Sequence, residues 1–404
     1  MTNVNLDEKL ANLGYLALKK ETTKGTAVTP DTFVPLYEES IKQDIHLDED
    51  SPIVGERAAR FKVYRGQETI TGSIKVLAEP KTIGHFFNML LYKASPSGSG
   101  TPTTGYTHTF GLGDASQSYT LEFLKGNVPV RLIGVEARSI TPAFEDNKMV
   151  LNVDISARNQ FSVVKIASAS GTAITLDDSE RPMPTEGLTT SDKLRLYDIS
   201  AGTYEDVTIT SINPNGKDLV VSAITGTYTA GDLAYLAPLT PAYSIGEPFN
   251  WALTQFRFGE TATAALSATP IRMEPDSNWS ILFNMENESG AMRSGSYQPA
   301  NFVRTVGDVD ISLKKFFDDE QDLSRFLQKT GRALVIEHSS PTNAGSNGTK
   351  ALLRLIVDEY YIKEYDIPLR SNEIIYASMI LAPVYNVANG EMFKVELITS
   401  EATI

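Results

Sequence analysis

The stretch EPKTIGHFFNMLLYK, residues 79–93, is one of two segments in this chain with a clear helical pattern. Ile83, Phe86, Phe87, Leu90 and Leu91 recur at the spacing of one helix face. Pro80 sits where a first-turn proline is tolerated, since its missing N–H needs no partner there. The other segment is DDEQDLSRFLQKT, residues 318–330. Asp318, Asp319 and Glu320 suit the positive N-terminal end of a helix dipole. Leu323, Phe326 and Leu327 repeat the apolar stripe, and Lys329 and Gly331 close the helix. Both stripes are expected to pack on a sheet, with Ile83, Phe86, Phe87, Leu90, Leu323, Phe326 and Leu327 as the packing core.

Working outward, the two segments share their surroundings. Ile83 and Leu323, Phe86 and Phe326, and Phe87 and Leu327 each lie 240 residues apart, as do Ser40-Ile41 and Ser280-Ile281. Ile70, Ser73, Ile74 and Lys75 match Val309, Ser312, Leu313 and Lys314 one residue out of step. Downstream, Arg131-Leu132-Ile133 answers Arg354-Leu355-Ile356, and residues 16–30 resemble 256–270. The same order of strand, hairpin, helix and long strands predicts an internal duplication.

Elsewhere the pattern is β. Runs rich in Val, Ile, Thr, Tyr and Phe alternate with Gly, Pro, Asn, Asp and Ser turns, most clearly at 130–141, 149–157, 351–362 and 374–382. The segment 161–240 has no helical signal and several short β runs, separated by turns such as Asn215-Gly216. It predicts a small closed barrel or sandwich inserted between the two repeats. The boundaries expected are 1–160, 161–240 and 241–404.

Composition narrows the function. The 404 residues carry 36 Lys+Arg against 50 Asp+Glu, a formal net charge of -14. That argues against a tight nucleic-acid binder, which needs clustered cations. With no cysteine, disulfides, thiolate metal sites and thiol catalysis are excluded. No apolar run approaches the ~20 residues of a membrane span, and no signal peptide is read at the start. His46, His85, His108 and His338 are scattered, with no zinc-binding spacing. No nucleophile elbow or phosphate loop occurs. The expectation is a non-enzyme without metal or cofactor.

Two long loops, 46–66 and 284–307, place acids before bases. They are expected to reach a neighbouring subunit through Asp48, Glu49, Asp50, Arg57, Arg60 and Lys62 in one and Arg293 and Arg304 in the other.

The run KGTAVTPDTFVPLYEESI (24–41), the Ile53–Arg60 loop, the 79–93 helix unit, YTHTF and a pair of long strands resemble a bacteriophage tail tube protein, and GDVDISLKKFFDDEQDLSRFL begins a second such unit. The resemblance covers 1–160 and 241–404. It implies a mainly β fold: two tandem β-sandwich or barrel units, each with one flanking α-helix, plus the inserted all-β domain, similar to decorations on long tubes. It further implies a virion subunit assembled in the host cytoplasm. Rings, trimeric with pseudo-six-fold symmetry or else hexameric, would stack into a tube that conducts double-stranded DNA without binding it specifically. Tape measure, terminator and distal tail proteins would be partners, and no membrane would be involved. Glu122, Glu136, Asp154, Asp358 and Glu359 are the candidate lumen-facing acids. Alternatives of the same fold or composition are the tube of a contractile injection or secretion system, and a surface adhesin.

Overall fold

The computed structural model describes residues 13–50, 60, 62–93, 98–113, 117–179, 183–285, 298–299, 302–317, 320–369, 371 and 374–404. Arg57, Arg293, Asp318 and Asp319 lie outside them. The first half supplies β1 (Leu16–Lys20), β2 (Thr32–Val34), β3 (Leu36–Glu39), β4 (Lys42–Asp50), β5 (Lys62–Leu77), α1 (Ile83–Leu90), β6 (Tyr92–Lys93), β7 (Ser99–Thr101), β8 (Gly105–Gly111), β9 (Tyr119–Lys125), β10 (Val128–Glu145), β11 (Lys148–Ala157) and β12 (Asn159–Phe161). The middle holds β13 (Val163–Ser170), β14 (Ala173–Leu176), β15 (Lys193–Asp198), β16 (Thr203–Ile212), β17 (Asp218–Val221) and β18 (Leu233–Leu236). The second half holds β19 (Thr254–Gly259), α2 (Ala262–Ser267), β20 (Asn278–Met285), β21 (Arg304–Phe316), α3 (Gln321–Gln328), β22 (Arg332–Asn343), β23 (Lys350–Asp366), β24 (Tyr376–Pro383) and β25 (Phe393–Thr399). The chain is thus mainly β, with large antiparallel sheets.

In the first half, β1, β9, β10, β11, β5 and β4 are hydrogen-bonded in that order. In the second, β19, β22, β23, β24, β21 and β20 are hydrogen-bonded in the same manner. Ile74 faces Val153 across one ladder, and Leu313 faces Met379 across the other. Both long strands bulge on both edges. β10 slips between Leu132 and Val135 against β9 and between Ala137 and Ser139 against β11. β23 slips before Tyr360 against β22 and between Ile362 and Glu364 against β24. The bulges therefore place Val135 with Tyr360 and Ser139 with Glu364. The match of Arg131 to Arg354 read in the sequence lies two residues from that register. So does the match of Ser40-Ile41 to Ser280-Ile281, because Gln43, not Ile41, stands opposite Ile70 as Ile281 stands opposite Val309. A shift of two keeps every side chain on its face, so the sequence pattern is blind to it.

The two ladders join where Ser139 and Ile140 of β10 pair with Leu282 and Ile281 of β20. A single apolar core runs through both halves, with Phe87 stacked against Trp279 at 6.4 Å between ring centres. The helix α1 lies inside it. Ile83, Phe86, Phe87 and Leu90 are all buried, and even Asn88 is covered, donating to Tyr119 Oη at 2.9 Å. Gly84 is required by space: a Cβ there would stand 2.4 Å from Ile404 Cδ1.

α3 differs from expectation. Its Leu323 and Phe326 are only half-buried, and Leu327, expected in the core, is 70% exposed. The reason is tertiary: the second half covers the outer face of α1, whereas no described element covers that of α3. Its end also differs, because the left-handed residue is Lys329 at φ 51 rather than Gly331. A third helix, α2, was not anticipated. It is a short alanine-rich turn whose Thr261 side chain accepts from Ala264 N–H, so cap and propensity were both legible.

The middle strands close a separate antiparallel barrel in the order β13, β14, β17, β16, β15, β18, around its own core. Alternation places Leu194 and Leu196 inward on β15, and Val207 and Ile209 inward on β16.

Candidate assembly surfaces

Strand β9 carries Glu122 directly opposite Arg131 on β10. Arg131 Nε donates to Glu122 Oε2 at 3.0 Å, while its Nη1 and Nη2 grip Asp192 of the barrel at 2.6 and 3.1 Å. The Tyr15 hydroxyl donates to Glu122 Oε1 at 2.6 Å and accepts from Leu239 N–H at 2.9 Å. Burial followed by the Glu122 charge pushes the Tyr15 hydroxyl pKa up. Burial alone would lower the Arg131 pKa, but Asp192 and Glu122 outweigh it and raise it. The network fastens the barrel to the main sheet.

A second buried cation joins the halves. Arg304, at the start of β21, donates to the carbonyl oxygens of Leu90 and Met89 at the end of α1. Those last carbonyls lack intrahelical partners, and a cation suits the negative end of the helix dipole. The Arg304 guanidinium also lies 3.5 Å from Glu136 and 5.3 Å from the centre of the Phe283 ring.

These contacts correct several expectations. Glu122 and Glu136 are fully buried and paired with cations, Glu136 also meeting Lys24 at 2.5 Å, so neither faces solvent. The strand alternation suggested an outward face, but both faces of β10 are covered by other layers. Asp358 is buried too, accepting from Asn389 Nδ2 at 2.9 Å. Glu359 is half-buried and accepts from the Tyr361 hydroxyl. Only Asp154 of the five is exposed, with Ser139 Oγ donating to it. Arg304, expected on a loop toward a neighbour, is spent inside the chain. The acids and bases of the other loop meet within their own hairpin: Arg60 pairs with Glu49 at 2.5 Å and His46 stands 3.3 Å from Asp48, with Asp50 opposite Lys62 on the two strands.

Two surfaces remain open. Strand β4 is exposed almost throughout, and with the start of β5 it displays Ile45, Leu47, Val63 and Tyr64 to solvent. Among the described residues β4 pairs only with β5. Among the described strands, the ladder of β23 with β22 runs out at Tyr360, while its ladder with β24 continues to Asp366. Beside that stretch is an open pocket of about 510 Å³ between α3 and β23, lined by Phe326, Leu327, Lys329, Tyr361, Ile362 and Lys363.

Among the described residues, no group of three or more His, Asp or Glu side chains is placed to hold a metal ion. Burial holds His85 and His338 neutral, with pKa values lowered to about 4 and about 3. No described helix is long and apolar enough to cross a membrane. No protein-family model matches the chain, and no curated protein matches it.

Proposed function

We propose that this chain is a ring-forming tube subunit of a phage tail, carrying two copies of one β unit with an inserted barrel between them. The observation that carries the reading is the identical strand order of the two ladders, with α1 following β5 and α3 following the matching strand β21. A chain with two such units is suited to a three-copy ring with six pseudo-equivalent positions. The apolar side chains exposed along β4 and the start of β5 favour self-association over a monomer.

The charge fits a conduit. DNA carries one negative charge per ~1.7 Å of axis, and cations ringed around it at every level would arrest it. A bore with part of the surplus of 14 negative charges facing inward repels the duplex over a Debye length of ~8 Å and lets it slide. Negative-stain microscopy of the purified chain tests the reading: rings or tubes with a central hole of duplex width are expected. A persistent monomer across salt and concentration, or a ring with a net-positive bore, would defeat it.

A further inference from the structure

The end of β1 and the start of α1 border an open pocket of about 490 Å³, whose lining includes Lys19, Lys20, Asp31, Lys81, Thr82 and His85. We propose that this pocket binds a phosphate group, held by Lys20 and the Thr82 hydroxyl at the positive end of the α1 dipole. The site goes beyond the tube reading and does not depend on it.

Strand register builds the site. Lys20 stands directly opposite Tyr119 across the β1–β9 ladder, so the two side chains share a face. Tyr119 is the residue on which Asn88 of α1 bonds, and its hydroxyl lies 3.3 Å from His85 Nδ1. Among the described residues Lys20 makes no hydrogen bond and no ion pair. Its neighbour Lys19 is neutralised instead by Asp31, at 2.7 Å. Thr82 precedes the first turn of α1, which holds no acidic residue. It is 6% exposed, yet its hydroxyl has no hydrogen-bond partner among the described residues. The capping threonine of α2 differs. Thr261 is extended at φ -139 and accepts from Ala264 N–H, whereas Thr82 is already helical at φ -110 and ψ -26. A buried hydroxyl without a partner is costly, and an oxyanion supplies the missing acceptor. The N–H groups of Ile83 and His85 are bonded already, to the carbonyls of Glu79 and Thr82. Side chains, rather than those amides, would therefore grip the ligand.

The local charges favour an anion. Burial first, then Lys93 and Lys20, lower the His85 pKa, while Asp31 raises it. Burial followed by Lys20 brings the Lys93 pKa down to about 8, and burial lowers that of Lys20 as well. Cations crowded in this way are short of counter-charge, in a chain whose net charge is -14. A helix N-terminus favours the same sign of ligand. A phosphate group brings several acceptor oxygens and a charge of roughly -2 at pH 7. That suits Lys20, Lys81 and one hydroxyl better than a carboxylate does. Two carboxylates oppose it. Glu401 lines the pocket, and the buried Glu79 precedes Thr82, its Oε2 accepting from Lys81 and Gly246 N–H, each at 3.2 Å.

Titration calorimetry of the full chain with inorganic phosphate, against acetate at matched ionic strength, tests the site. Saturable phosphate binding is expected, with acetate about tenfold weaker or more. Lys20→Gln should weaken phosphate binding by about tenfold or more, through loss of a charge-assisted contact. Lys42→Gln, on the exposed β4, should leave it unchanged. Thr82→Val keeps the shape of the side chain, removes the hydroxyl and should weaken binding too; far-UV spectra check that the variants fold. In the wild-type chain, phosphate should raise the pKa of His85 followed by NMR, because a nearby anion favours the imidazolium. The proposal is overturned if phosphate fails to bind, if acetate binds as well, or if Lys20→Gln binds phosphate as the wild type does. Microscopy of rings tests the tube reading separately, so either reading can fail alone.

Discussion

Arg131 of the main sheet and Asp192 of the inserted barrel form a two-pronged ion pair, at 2.6 and 3.1 Å, with both side chains about 1% exposed. The residues are far apart in the chain, and their contact decides how the barrel is seated. Thr29 Oγ1 and Thr189 N–H also donate to Asp192, so the carboxylate is fully engaged.

Replacing Asp192 by Ala should therefore be costly. It leaves Arg131 buried with Glu122 as its remaining carboxylate, and breaking such a pair costs about 3–5 kcal/mol. Denaturant unfolding measures this. A loss below 1 kcal/mol would mean that water reaches the guanidinium and that the barrel is not held by this contact.

The helices should respond unequally. Phe86→Ala opens a cavity in the shared core, with a cost of roughly 3–5 kcal/mol. Leu327→Ala removes an exposed side chain and should change monomer stability by no more than about 0.5 kcal/mol. Thermal unfolding of the two variants in parallel is the check; equal losses would contradict the asymmetric burial of α1 and α3.

His338 predicts acid sensitivity. It is fully buried, its Nε2 accepts from Trp279 Nε1 at 3.0 Å, and Nδ1 lies 3.0 Å from Thr254 Oγ1. Its pKa falls from 6.5 to about 3 through burial. Above pH 6.5 folded and unfolded chains both hold it neutral. As pH falls below that, only the unfolded chain binds the proton, so stability drains away by about 1.4 kcal/mol per pH unit until the folded group titrates near pH 3. His85 adds the same trend over a shorter window, down to about 4. Unfolding free energy measured at pH 7 and pH 5 should fall, and His338→Asn should flatten the slope. A slope identical to wild type would remove His338 from the account.

The barrel should be dispensable for folding. Val163 and Tyr235 are paired neighbours at its entrance and exit, and its core is separate. Replacing 163–236 by a short Gly/Ser linker should leave a folded β protein, since Arg131 keeps Glu122 and gains water. Circular dichroism and gel filtration would reveal the contrary outcome, an aggregated chain.

Much of the fold was legible locally. The β alternation of 149–157, the stripe of α1 and the strand-rich middle segment all report nearest-neighbour rules of spacing and turn chemistry. The strand match of Ile70, Ser73 and Ile74 with Val309, Ser312 and Leu313 coincides with the ladder register. The site was legible only in part. Arg304 was visible as a cation on a long connection, but not that it caps α1 from 214 residues away. Glu122 and Glu136 read as outward acids because alternation tells one face of a strand from the other, and not which face meets water.

By itself, then, the sequence determined the β character of the chain and the stripe of α1, because periodicity and turn residues act over a few positions. Tertiary structure alone decided which of the two predicted helices is buried and which acids are paired. Those outcomes depend on what lies on the far side of each element, and side-chain spacing carries no record of that.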